Sequence, residues 1–388
     1  MSAIFRRPAL ARQMAQQLLH PSVLDEGLRS GLFLSGLRRT GKSTFLRNDL
    51  IPTLEAEGAL VIYVDLWSDT RTSAAALVHA EIRKTLENLQ TPASVLWKKL
   101  QRAAHAEVGI PGFKFDFDIG KVGETGGTTL AQALTEVVDQ AKTNVVMIID
   151  EVQHAITSDE GNNMLLALKA ARDAINQRPA TPGHFLFIGT GSHRALVNEL
   201  STRRNQAFAG AKSVAYPVLG AEYVQYVLER LASESPEPWP SLEVTVEAFR
   251  TLGNRPEELL SALREWHNLP KNVRLDPDQV LPVIARTLRS RAADLELRAV
   301  EDLGALAVVI FERIASEKGE ARGLFSAEAL ADYARAIGRD TRVEEVQPLL
   351  NEMVKANVIM RTGHGLYGVT DPFVQEVWRE KKSLTAGL

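Results

Sequence analysis

The stretch LFLSGLRRTGKSTFL at residues 32–46 decides the fold. Its centre, GLRRTGKS at 36–43, fits the pattern G-x-x-x-x-G-K-[ST] in full. An apolar strand-like run ends at Ser35, and the following FLRNDLIPTL has a helical pattern. Glycines at 36 and 41 let the backbone curl, so that the N–H groups of Leu37, Arg38, Arg39, Thr40 and Gly41 point at phosphate oxygens. The helix behind the loop, which carries Thr44 in its first turn, adds its positive end. Lys42 places a point charge at the β- and γ-phosphates, and the Ser43 hydroxyl ligates Mg²⁺. The stretch therefore implies ATP held with Mg²⁺.

Working outward, the first half of the chain alternates short apolar runs with helical patterns. The runs are 31–35 (GLFLS), 59–66 (ALVIYVDL), 144–149 (NVVMII) and 184–188 (HFLFI). They are continuous rather than alternating, as strands covered on both faces are. Strands interleaved with helices indicate a parallel sheet in an α/β layer fold. Between the second and third runs, 72–143 reads as an insertion of helices and a small hairpin. Within it 113–119 (FKFDFDI) alternates strictly and predicts a half-exposed strand. Thr129 and Gln132 predict a capping box ahead of the apolar stripe Leu130, Leu134, Val137, Val138 and Ala141.

The third run ends in two acids, VVMIIDE, at the carboxyl end of a buried strand, where open α/β sheets bind ligands. Asp150 is the candidate to hold Mg²⁺ through water, and Glu151 to orient and deprotonate the attacking water. The fourth run ends in GTGS at 189–192, whose hydroxyls suit a bridge to the attacking water or the γ-phosphate. Thr190 is the first choice and Ser192 the second. Arg203 and Arg204 follow as candidate fingers aimed at a neighbouring subunit's γ-phosphate, with Lys212 a weaker one. Arg255, in GNRPEELLSAL, is placed to reach back to the nucleotide.

Composition bounds the rest. A chain of 388 residues suggests two or three domains. With no cysteine, disulfides, thiol nucleophiles, iron–sulfur clusters and cysteine-ligated zinc are excluded together. A net charge of −3 gives no global case for nucleic acid, so any basic surface must be local. The opening MSAIFRRPALARQMAQQLL carries charge and Gln throughout, unlike a secretory signal, and no apolar run approaches bilayer-spanning length. The expectation is a cytoplasmic protein without membrane contact. The divisions expected are a helical lead-in at 1–30, a core at 31–216, helices at 217–300 and a final domain at 301–388. In that last domain helical patterns precede 358–369 (VIMRTGHGLYGV), two short strands around a glycine-rich turn, which suggests a winged helix-turn-helix.

The order of LSGLRRTGKSTFL, IIDEVQ, FIGTGSH, GNRPEE and GLYGVTDPFVQEVW resembles the AAA+ ATPases. Among them it is most similar to the archaeal-type ATPase group bordering the STAND NTPases and the Orc/Cdc6 initiators. The resemblance covers roughly residues 30–380. It implies an αβα core of five parallel strands in the order 5-1-4-3-2, a helical lid and nucleotide-coupled assembly. It also implies Thr190 or Ser192 as first sensor and Arg255 as second.

Three functions compete at this stage: an ATP-hydrolysing machine working with protein partners or further copies of itself, a switch that holds ATP or ADP without turnover, and a phosphate-loop kinase. DNA contact has weak support. The candidate recognition helix 341–356 sets Glu344, Glu345 and Glu352 against Arg342 and Lys355, and Pro348 should kink it or delay its start. Its expected capping box is Thr341 with Glu344. Arg38 and Arg39, or Arg286, Arg289 and Arg291 on one helix, are the alternative basic surfaces.

Overall fold

The computed structural model describes residues 4–91, 94–103, 112–202, 206–270, 276–363 and 365–386. The chain divides into two compact units: Met1–Gly36 with Lys42–Tyr216, and Leu37–Gly41 with Pro217–Leu388.

The first unit is built on a five-stranded sheet, ordered β2-β3-β4-β1-β5. The strands are β1 (Leu32–Ser35), β2 (Leu60–Asp65), β3 (Val145–Asp150), β4 (Phe185–Gly191) and β5 (Lys212–Ala215), and every pairing is parallel. This is the expected order read from the other edge. Parallel neighbours need crossovers, which the helices supply. They are α1 (Pro8–Leu19), α2 (Lys42–Phe45), α3 (Ile51–Ala56), α4 (Ala74–Gln90), α5 (Val95–Ala103), α6 (Leu130–Ala141), α7 (Asp159–Asn176) and α8 (Arg194–Thr202). Between α2 and α3 the five residues Leu46–Leu50 wind as a π-helix.

Which face a side chain joins follows the two-residue period of a strand. On one face Phe33, Val145, Met147, Ile149, Phe185 and Phe187 meet α4, α6 and α7. On the other, Leu34, Val146, Ile148, Leu186 and Ile188 meet α1 and the helical run from Lys42. All residues of β3 and β4 are buried, which is why their sequences run apolar without alternation. Phe187 and Phe208 stack at 4.1 Å between centroids, and Phe33 lies 5.7 Å and 5.8 Å from them, locking β1 against β4.

The strand and hairpin expected at 113–119 are absent among the described residues. Phe113, Phe115 and Phe117 do alternate, and their rings form a ladder, with Phe113 edge-on to Trp97 at 5.1 Å. The backbone, however, meets a side chain and not a strand. The Gln140 amide accepts from Lys114 N at 3.1 Å and donates to Lys114 O at 2.6 Å. The Thr129–Gln132 capping box is formed at the start of α6.

The second unit holds α9 (Ala221–Glu234), α10 (Leu242–Thr251), α11 (Pro256–His267), α12 (Pro277–Glu301), α13 (Ala305–Ser316), α14 (Ala327–Ile337), α15 (Val343–Lys355), β6 (Ile359–Gly363), β7 (Leu366–Val369) and α16 (Pro372–Ala386). β6 and β7 form an antiparallel hairpin, and Ala321 bridges to Tyr367 beside it. A common core joins Ala293 and Val300 of α12 to Phe311, Tyr333, Leu350, Tyr367 and Val374. α15 starts at Val343 and continues through Pro348, so the proline does not delay its start. Its cap differs from the expected one: Glu345 accepts from Arg342 N at 3.0 Å, one position beyond the Thr341–Glu344 pair.

The basic surfaces weighed for DNA are partly neutralised within this unit. On the candidate recognition helix Lys355 lies 3.9 Å from Glu352, while Glu345 is paired by Arg339 outside it at 2.8 Å. Arg289, 14% exposed, pairs with Glu376 at 2.8 Å and Glu380 at 3.6 Å. Among the described residues no helix is long and apolar enough to cross a membrane.

Candidate functional site

The site grows from the carboxyl edge of the sheet, where β1, β3 and β4 end side by side. Ser35 is in register with Gly191, and Ile149 with Gly189. Gly36 N donates to Gly191 O at 3.2 Å, which fixes where the loop leaves β1. A Cβ at Gly36 would stand a tight 3.1 Å from Tyr216 Cβ and in ordinary contact, 3.5 Å, with Lys42 Cδ, so it is Tyr216 that a side chain there would press on. Arg39 (φ 64°) and Gly41 (φ 89°) take left-handed conformations, and the buried Thr40 hydroxyl donates to Leu37 O at 2.9 Å. These two φ values reverse the loop before α2 begins at Lys42. Lys42 is 6% exposed, and its Nζ donates to Gly36 O at 2.8 Å. Ser43 is half-buried and Thr44 exposed.

The two acids at the end of β3 are both buried, with separate partners. Asp150 Oδ1 accepts from the Thr190 hydroxyl and from Glu151 N at 3.1 Å; Oδ2 accepts from the Tyr63 hydroxyl at 3.1 Å. Glu151 has φ 56° and ψ 42°, an unfavourable conformation for a residue with a Cβ. Such strain persists only where the surroundings fix it, and it concentrates at functional sites. Here Glu151 Oε2 is fixed by Ser192 N at 3.1 Å, Ser192 Oγ at 2.8 Å and the Gln153 amide. The two candidate sensor hydroxyls thus divide between the acids: Thr190 meets Asp150, and Ser192 meets Glu151.

Gly191 is the hinge of this arrangement. A Cβ there would fall 2.1 Å from Gln153 Oε1 and 2.6 Å from Val197 Cγ2. Gly191→Ala is expected to cost about 2–3 kcal/mol of stability by overpacking. It should also weaken nucleotide uptake, because the loop hangs on the Gly191 carbonyl. Urea unfolding and nucleotide titration of the same preparation check both effects.

The remaining sequence candidates fall elsewhere. Arg203 and Arg204 lie outside the described residues. Lys212 pairs with Asp25 at 3.6 Å. Within the second unit Arg39 pairs with Glu257 at 3.3 Å and Glu258 at 3.9 Å. Arg255, expected to face nucleotide, is instead engaged inside the second unit. It donates to Asp371 Oδ2 at 2.6 Å and lies over the Phe373 ring. The two side chains are only 12% and 4% exposed. Removing one member of so buried a pair strands the other, so Arg255→Ala is expected to cost about 3 kcal/mol in urea unfolding. A residue held in reserve for nucleotide would leave the unfolding midpoint unchanged.

Sequence reading missed Tyr63, Arg47 and Gln153. Tyr63 and Asp65 share one face of β2 by the two-residue period, and Asp65 is in register with Asp150. Nothing in the sequence gives that register.

The donor set fits a magnesium–nucleotide complex. Ser43 and Asp150 offer hard oxygen ligands, which suit Mg²⁺. Among the described residues no group of three or more His, Asp or Glu could hold a metal alone. A cation here would need phosphate oxygens and water to complete its shell, as Mg²⁺ sites commonly do.

Comparison with known proteins agrees with this fold. Residues 26–197 match the family described as "AAA domain". Among curated proteins none matches in sequence. The fold is similar to that of a Walker-type ATPase of Pyrococcus abyssi, at 19% identity and a TM-score of 0.57, covering 97% of this chain and 96% of that one. It is also similar to the ADP form of the Aeropyrum pernix ORC2 protein, at 12% identity and a TM-score of 0.53, covering 98% and 96%. The segment 26–197 thus matches the AAA domain family, in a chain whose fold is similar to those of these Walker-type and Orc proteins.

Proposed function

We propose that the chain binds ATP with Mg²⁺ and hydrolyses it to ADP and phosphate. One observation carries this: two adjacent buried acids, each met by a different hydroxyl, stand at the same sheet edge from which the phosphate-loop sequence leaves β1 at Gly36. In this reading the amides of residues 37–42 hold the phosphate tail, and Lys42 places its ammonium on the β- and γ-phosphates. Ser43 and, through water, Asp150 would hold the Mg²⁺. When bound, that ion supplies charge neutralisation across the phosphates. Glu151 accepts a proton from water as the water oxygen bonds to the γ-phosphorus and the β–γ bridging P–O bond breaks. Thr190 holds Asp150, and Ser192 keeps Glu151 Oε2 in place.

The hydrolase reading extends to nucleotide-dependent work on a protein partner or a further copy of the chain. The local charge pairing on α15 and α12 does not favour DNA. A second reading draws on Glu151 itself. Three donors already converge on its Oε2, which would also suit a switch that holds nucleotide without turnover. Steady-state phosphate release separates the readings. Free phosphate as the product supports hydrolysis. Tight uptake without release supports the switch, and a phosphorylated acceptor would point to a kinase.

A further inference from the structure

We propose that Tyr63, itself set by Arg47, is a positioning residue for the Asp150 carboxylate and ties that acid to the helical run that starts at the phosphate loop. The inference rests on the reading of Asp150 as a metal-holding residue, and it names residues that no motif covers.

The geometry is a chain of donors. Arg47 Nε donates to the Tyr63 hydroxyl oxygen at 3.0 Å, and another guanidinium N–H donates to Asp65 Oδ2 at 2.7 Å. The guanidinium lies over the Tyr63 ring, 5.1 Å from its centroid. A phenol carries a single O–H. With Arg47 feeding the oxygen, that O–H is directed at Asp150 Oδ2, 3.1 Å away.

Asp150 is held from both sides. Oδ2 is fixed from β2 by Tyr63, and Oδ1 from β4 by Thr190. Those strands flank β3 in the sheet, so the plane of the carboxylate is set by its two neighbours. Arg47 comes from the π-helical segment Leu46–Leu50, a type of turn often found at functional sites. It stands four positions after Ser43 on the continuous run through α2 and α3. Arg47 and Tyr63 thus link the helix bearing one proposed Mg²⁺ ligand to the acid that is the other. Groups that orient a metal ligand commonly change affinity or activity by about 10–100-fold when removed.

The test uses the full chain, with an ATP analogue titrated at a series of Mg²⁺ concentrations and phosphate release measured in parallel. For Tyr63→Phe, the Mg²⁺ concentration at half-saturation should rise about tenfold, while nucleotide affinity without metal stays within about twofold. kcat should fall about tenfold, with KM changing less. Arg47 is half exposed, so Arg47→Gln should fold whatever happens to the tyrosine variant, and it should show the same Mg²⁺ shift. The double variant should be little worse than either single one, because Arg47 acts through Tyr63. Unchanged Mg²⁺ dependence in both single variants, beside a parent that takes up nucleotide with Mg²⁺, would overturn this proposal alone. A parent with no Mg²⁺-dependent uptake would overturn the proposed function and this inference together.

Discussion

Glu151→Gln is expected to lower phosphate release by about 10²–10⁴-fold while Mg²⁺-dependent ATP uptake stays within about threefold of the parent. The change removes the basic oxygen and keeps the shape. A glutamine carbonyl can still accept from Ser192 N and Ser192 Oγ, which now hold Glu151 Oε2 at 3.1 Å and 2.8 Å. The strained left-handed backbone at this position (φ 56°) is no worse for Gln than for Glu. The variant should therefore melt close to the parent, and its loss should lie in kcat. Single-turnover release, compared with equilibrium uptake of the same nucleotide, measures the two separately. Parent-like turnover in the variant would remove Glu151 from the chemistry. The three donors on its Oε2 would then describe a structural acid, and another group would have to take the proton from water.

The phosphate loop and the acids were legible in the sequence because their chemistry is local. The loop needs glycines and a lysine at fixed short spacing, and the acids need only to end a buried strand. β3 and β4 were legible for a related reason: a strand covered on both faces must be apolar throughout, and Val145–Asp150 and Phe185–Gly191 are fully buried. The segment 113–119 shows the limit of periodicity. Alternation reports that Phe113, Phe115 and Phe117 share a side, and they do. It does not report what satisfies the backbone, and the Gln140 side chain takes the place a neighbouring strand would fill.

Contacts between residues far apart in the chain were not legible. Tyr63 reaches Asp150 across 87 positions, and Arg255 reaches Asp371 across 116. Arg255 sits where a resemblance-based reading wants a nucleotide contact, and its side chain is held by a buried acid of its own unit. The sequence showed the arginine and the helix that follows it, but the competing carboxylate lies beside α16. Motif matching finds groups that act through backbone geometry and misses those that act through the register of a sheet or the packing of a helix.

Lys42→Ala should leave the nucleotide-free protein nearly unchanged and weaken its nucleotide complex, and that contrast makes the test sharp. Lys42 is 6% exposed, with Nζ 2.8 Å from Gly36 O, so without nucleotide it is a charge kept largely from water. Removing it loses the lysine's contacts, the one to Gly36 O among them, and also removes the cost of keeping a charge from water, so the two largely offset. The nucleotide-free variant should therefore melt close to the parent. With nucleotide the two separate. Losing a desolvated, charge-assisted contact to the phosphates is expected to weaken uptake about 100-fold, or about 2.7 kcal/mol. At a nucleotide concentration of about 100 times the parent's Kd, stabilisation by ligand would fall from about 2.7 to about 0.4 kcal/mol. Thermal melts with and without MgATP show both effects in one experiment. A variant that loses stability without nucleotide yet keeps the parent's ligand-induced shift would mean that the lysine braces the loop and does not grip a phosphate, which would sink the nucleotide reading at its foundation.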